Sequence, residues 1–241
     1  MQQTACLVQP AAWPARERRA ILRHMFNNMA TNKMTINKTV IGKIATALFG
    51  VMFFLPAAAQ YAGAPASGPE YTSDAQLKFP ERYRHWVYLT TGFDMSYNPM
   101  MKMGHHMFDN VFVNPEAYKA FVETGTWPDK TVLVLEGRMG QDKGSINQKG
   151  SYQGTDVMGV EVHVKDAARF PGKWAFFIFD DAKTAKMVDS SMECYSCHAQ
   201  HAAVDTTFVQ FYPTLLPIAR SKGTLSAAYQ KENADSGQKQ H

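Results

Sequence analysis

The chain is 241 residues long, with 25 basic and 21 acidic residues and a formal charge of +4. The first 59 residues hold seven of those basic residues and one of the acidic ones, so residues 60–241 carry 18 and 20. The overall positive charge belongs to the N-terminal stretch, and it gives no reason to expect nucleic-acid binding.

In chain order, residues 1–33 are rich in Arg and Ala and read as an over-extended start or a leader, with Met29 and Met34 as more ordinary starts. Residues 34–59 predict a secretory signal peptide. Lys38 and Lys43 precede an apolar run that ends in Ala57-Ala58-Ala59, a small-residue cleavage pattern. The run is too short for a membrane span, so no membrane association is expected after cleavage. Export removes Cys6 and leaves two cysteines, Cys194 and Cys197. A chain without disulfides must build a real core, for which the remaining length suffices.

Residues 60–78 begin with an Ala, Gly, Pro and Ser-rich stretch and read as a flexible leader. Residues 79–86 predict a helical turn with Pro80 in its first turn, and 86–91 a strand. Residues 92–106 are loop-like and methionine-rich. Alternation predicts a strand over Met107–Val113. Asn114 and Pro115 predict the cap of a helix over 116–123, stopped by Gly125. Strands follow at 131–139, 152–164 and 174–179, the last with little polar relief. A short helix over 182–190 is expected to deliver the next motif. Residues 206–220, broken by Pro213 and Pro217, predict an interrupted helix, and 221–241 a polar tail. The class is α+β: one antiparallel sheet flanked by short helices, in a single domain over 79–220.

Residues 193–198 read Glu-Cys-Tyr-Ser-Cys-His. Cys-x-x-Cys alone fits half a zinc site, a redox dithiol or haem. A zinc site needs a second ligand pair, and a dithiol motif usually opens a helix in a βαβ unit; neither pattern is present. The adjacent His completes the attachment signature of a c-type haem. Two thioether bonds from Cys194 and Cys197 and a proximal nitrogen from His198 would hold one covalent haem c near the C-terminal end of the domain. Export together with this motif implies a bacterial periplasm.

With these elements placed, the chain resembles the cytochrome P-460 and cytochrome c′-beta family. The matching stretches are FPERYRHW (79–86), NVFVNPEAY (110–118), TVLVLE (131–136), GVEVHVKD (159–166), WAFFIF (174–179), residues 194–198 and FVQFYPTL (208–215). The resemblance implies a β-rich single-haem domain, with a homodimer among its assemblies. Members that oxidise hydroxylamine carry a lysine linked to the porphyrin, on the strand matching 131–136. That position falls on Leu135 here, so the chain looks more like the c′-beta branch, which lacks the link and binds nitric oxide at a hydrophobic distal face.

The open question is the sixth iron ligand. A distal Met would give a low-spin haem suited to electron transfer, and an open site would bind small gases. The thioether candidates are Met103, Met107 and Met139, with Met100 and Met101 behind them; each taken singly reads rather as core or loop filler. His105 and His106 are the other candidates, against a plain solvent-facing loop. Arg138 is a candidate for a haem propionate. Phe108, Phe112, Phe176 and Phe179 are candidate pocket walls. Glu136 and Glu161 both lie on strands from which either could face the haem. The expected function is electron transfer or nitric oxide binding, with a periplasmic redox protein or a small gas as partner. The alternative is oxidation of hydroxylamine or a related nitrogen compound.

Overall fold

The computed structural model describes residues 67–97, 100, 104–180 and 183–235. The expected leader and signal peptide at 1–59 lie outside the described residues. The fold is α+β. The order is β1 (Leu77–Lys78), β2 (Val87–Phe93), β3 (Met107–Val113), α1 (Pro115–Thr124), β4 (Val132–Gln141), β5 (Tyr152–Lys165), β6 (Trp174–Phe179), β7 (Thr184–Ala185), α2 (Glu193–His201), α3 (Leu216–Lys222) and α4 (Ala227–Asp235). Strands β2 to β6 form one antiparallel sheet in the order β2-β3-β4-β5-β6, and β1 pairs with β7.

The sheet is covered on both faces, so its strands carry apolar residues at adjacent positions rather than in strict alternation. On one face Val113, Leu133 and Trp174 pack with Phe121 and Ala117 of α1, Ala219 of α3 and Tyr229 of α4. On the other, Val134, Val162, Val164 and Phe177 pack with Leu77, Tyr83 and Phe170. Residues 79–86 supply only a 3-10 turn, Tyr83–His85, whose Tyr83 is fully buried in that second core.

Asn114 was expected to cap α1 through its side chain. It makes no such bond. Its Oδ1 instead accepts from the Val132 N–H at 2.8 Å, and its own N–H donates to the Val132 carbonyl. The residue therefore fastens the helix to the start of β4. Pro115 supplies the preset φ at the first turn. Gly125 ends the helix at φ 78°, donating to the Phe121 carbonyl. A Cβ there would meet Lys222 Cβ at 2.7 Å. Gly125→Ala is therefore expected to lower stability by about 1–2 kcal/mol from the left-handed backbone alone, read as a shift in the urea midpoint.

Two further expectations are corrected. The helix predicted over 182–190 is absent from its described part. Thr184 and Ala185 form β7 instead, paired with Lys78 and Leu77. The helix begins at Glu193 and carries the Cys-x-x-Cys-His residues itself. Local propensity favoured the Ala- and Lys-containing stretch, but pairing with β1 overrides it. In the segment read as a polar tail, α4 buries Tyr229 and is fixed to the end of α2. There the Ser226 N–H donates to the Ala203 carbonyl and the Ser226 hydroxyl to the Ala202 carbonyl.

Candidate haem site

Cys194 and Cys197 are three residues apart on α2, with His198 one further, so all three share a helix face. Cys194 is buried and Cys197 half-buried. Tyr195, between them, anchors the helix to the sheet. Its hydroxyl donates to the Val188 carbonyl at 3.0 Å and accepts from the Phe176 N–H at 3.3 Å.

His198 projects into a cavity of about 180 Å³ between α2, the segment after it and one face of the sheet. Its ring lies 4.2 Å from that of Phe208 and 4.6 Å from that of Phe176. Nδ1 is 2.8 Å from the Thr206 carbonyl oxygen. A carbonyl only accepts, so Nδ1 carries the proton and Nε2 is the nitrogen left to bind a metal. Burial pushes the imidazole down to about 4, which keeps it neutral, as a metal ligand must be.

The carbonyl that orients His198 is itself held. Asp205, in a left-handed conformation at φ 51°, makes a tight turn closed by bonds between Val204 and Thr207. Trp127 Nε1 donates to the Thr207 hydroxyl at 2.7 Å, and Lys165 Nζ reaches Asp205 at 2.9 Å. The loop is thus tied to α1's end and to β5. These features fit a haem held by Cys194, Cys197 and His198.

The sheet wall is ordered by strand register. One row across it is Gly92, Asp109, Gly137 and Gly159; the next is Thr90, Val111, Leu135 and Glu161; a third contains Val113, Leu133, His163 and Phe176. Asp109, Val111, Leu133, Leu135, Glu161 and His163 all line the cavity, and no lysine or arginine is among its lining residues. Leu135, where the resemblance expects the linking lysine, therefore presents a hydrocarbon to the cavity.

Glu161 and Asp109 stand out. Burial pushes the Glu161 carboxyl up to about 7, with repulsion from Asp109 adding to it. Burial likewise pushes Asp109 up to about 6, helped by Asp94. Asp109 Oδ1 is buried without a hydrogen-bond partner. A carboxyl raised above its unfolded value costs nothing while protonated and penalises the fold once ionised. The Glu161 penalty is absent below about 4.5, grows as pH rises and is full above 7. Glu161→Gln is thus expected to stabilise the protein by on the order of 2–3 kcal/mol at pH 8 and to be neutral near pH 4, measured by thermal melts at both pH values.

The other sequence candidates lie elsewhere. Met107 and Met139 face each other in the β3–β4 register and do not line the cavity. Met103 and Met101 lie outside the described residues, and Met100 is exposed. Met95, not among the thioether candidates, does line the cavity; a Cβ on Gly92 would sit 2.7 Å from its sulfur. The absence of a side chain at Gly92 makes room for it. His106 is a surface residue, its Nδ1 2.5 Å from Asp94 and its ring stacked on Phe93, and His105 is exposed.

Arg138 does not line the cavity. Its Nε bonds Glu136 and its Nη1 donates to the Gly154 and Thr155 carbonyls at 3.2 Å. Glu136 lies on the opposite face of the sheet, bonded to Tyr83, Arg84 and Arg138. Of the four candidate phenylalanines only Phe176 lines the cavity, joined by Phe208 and Phe211. His163 is buried against Trp174 and Phe176, 5.3 Å from the His198 ring. The period of β5 was the available signal, since His163 shares the face of Glu161.

A sheet-backed cavity with a neutral, carbonyl-oriented histidine beside a Cys-x-x-Cys pair defines a haem-binding cytochrome. The Cytochrome P460 family model matches residues 80–209, more than half of the chain, and the chain belongs to that family. No curated protein matches it.

Proposed function

We propose that the protein is an exported, periplasmic cytochrome with one covalent haem c, which binds a small nitrogen ligand such as nitric oxide at an open iron site. Cys194 and Cys197 would form the thioether bonds and His198 would bind iron through Nε2. The haem supplies a redox-active iron with an exchangeable coordination position. Export rests on the signal-like segment at 34–59, and a periplasmic redox protein would set the iron's oxidation state. The carrying observation is the composition of the wall around His198. It holds Val111, Leu133 and Leu135, while Met107 and Met139, the two among the three foremost methionine candidates that are described residues, lie outside it. The thioether that does line it, Met95, packs over Gly92.

Absorption spectra test this reading. The reduced protein is expected to show an ordinary c-type α-band and to take up nitric oxide readily. The oxidised protein is expected to lack a thioether-to-iron charge-transfer band. That band, if present, replaces ligand binding with electron transfer; a strongly red-shifted Soret band would mean a porphyrin cross-link after all.

A second reading is favoured by Asp109 and Glu161. Oxidising hydroxylamine removes protons with electrons, and a carboxylate poised near neutrality is a suitable proton acceptor. Hydroxylamine-dependent reduction of an added electron acceptor, slowed in Glu161→Gln, would establish it. No reduction above the free-haem background rules it out.

A further inference from the structure

We propose that Asp109 and Glu161 form a charge filter, admitting neutral or cationic ligands to the cavity beside His198 and turning away anions. The inference rests on the reading that haem occupies this cavity, and deepens it by naming the ligand class. Its basis is the strand register. Asp109 has Gly92 and Gly137 as its cross-strand neighbours, and Gly159 lies one strand further on. None of these has a side chain that could donate to the carboxylate. A Cβ built on Gly137 would lie 3.7 Å from its Oδ1, and the space above Gly159 is open. The unpartnered Oδ1 is therefore a consequence of the sheet. Glu161, in the next row, aims at the same space.

No neighbouring element neutralises the pair. Strand β2 contributes Thr90 and Gly92, and β4 contributes Leu133 and Leu135. Strand β5 adds His163, which burial holds well below its usual range and so uncharged. Helix α2 adds His198, and the segments after β2 and α2 add Tyr97 and Tyr212, all neutral at physiological pH. Asp94, behind Asp109, adds further negative potential. An anion entering this apolar space meets repulsion that no lining side chain offsets. A hydroxylammonium or other protonated nitrogen base meets attraction, and a neutral diatomic meets neither.

The test uses the haem-loaded chain and two probes, azide on the ferric form and carbon monoxide on the ferrous form. In Asp109→Asn/Glu161→Gln, azide affinity at pH 8 is expected to rise roughly 100-fold or more, since each unit charge about 6 Å away at an effective dielectric near 20 is worth about a factor of 100. Carbon monoxide affinity is expected to stay within about twofold. In the unmodified protein azide should bind more tightly at pH 5 than at pH 8, and the variant should flatten this dependence. The single Asp109→Asn variant should show an intermediate rise. Equal azide affinities at pH 8, or a matching change for carbon monoxide, overturn the filter while leaving the haem site standing. Uptake of neither probe overturns the open-site reading and the filter with it.

Discussion

Replacing His198 with alanine in the haem-loaded protein is expected to weaken binding of carbon monoxide or nitric oxide by more than about 100-fold, beyond the 10–100-fold that follows loss of a partner behind a metal ligand. The geometry predicts rescue as well. Removing the imidazole leaves a space bounded by Phe176 and Phe208, with the Thr206 carbonyl still presented by its turn. Added imidazole can enter that space, donate one N–H to Thr206 and offer the other nitrogen to iron. Recovery of most of the affinity at millimolar imidazole is expected, with the haem kept in place if the proposed thioether bonds hold it. An unchanged spectrum and affinity in His198→Ala would transfer the proximal role to another nitrogen, of which His163 is adjacent.

The second large effect lies on the opposite face of the sheet. Glu136 is buried, and its carboxylate binds Tyr83, Arg84 at 2.7 Å and Arg138. Burial pushes its pKa up, but hydrogen bonds from Arg138, Tyr83 and Arg84 more than offset this and hold the carboxyl below its usual range. Glu136→Ala leaves Arg138 largely buried without its anion and the Tyr83 hydroxyl without an acceptor. The expected loss is about 3 kcal/mol, the lower end for breaking a buried ion pair, because Arg84 is half-exposed and can turn to water. Glu136→Gln keeps an acceptor for Tyr83 and should cost less. The sign of the pH dependence follows from the lowered pKa. The carboxylate's contribution is present above its unfolded value and is lost as pH falls through the folded one. The gap between wild type and variant in urea titrations should therefore narrow below about pH 4; a gap that widens there would falsify the ion-pair account.

Much of the sheet was legible in the chain because β-branched and aromatic runs bounded by turn residues announce strands locally. Strands β3 and β6 begin and end where the sequence places them, at Met107–Val113 and Trp174–Phe179. The helix carrying the haem motif was misplaced for an equally local reason. Cys, Tyr, Ser and His are mediocre helix formers, and the residues before them look better. What makes α2 a helix is its packing, through Tyr195 against β6 and through Ser226 and Glu232 of the C-terminal segment.

The methionine-rich loop drew attention to Met103, Met107 and Met139 because thioethers near a haem motif suggest ligation. Strand register puts Met107 and Met139 opposite each other, beyond the Asp109–Gly137 pair and outside the cavity wall. Composition cannot reveal this, since Met107 and Asp109 share a sheet face and only how far the cavity extends along the strands separates them. The same holds for the two glutamates. Glu136 and Glu161 face each other's strands, yet one enters an ion-pair cluster and the other the cavity, because their strands present opposite faces at those positions.

The sequence by itself pointed to haem, and the family match agrees. Two thiols and an imidazole at fixed spacing carry that information within five residues, and no tertiary contact is needed to read it. The tertiary structure alone decided what that haem would face. Asp109, Leu135 and Glu161 come from three strands separated by long connections, and only the pairing of those strands sets them side by side. The raised pKa values of Asp109 and Glu161 are properties of that assembled, water-poor wall, which no single segment of the chain possesses.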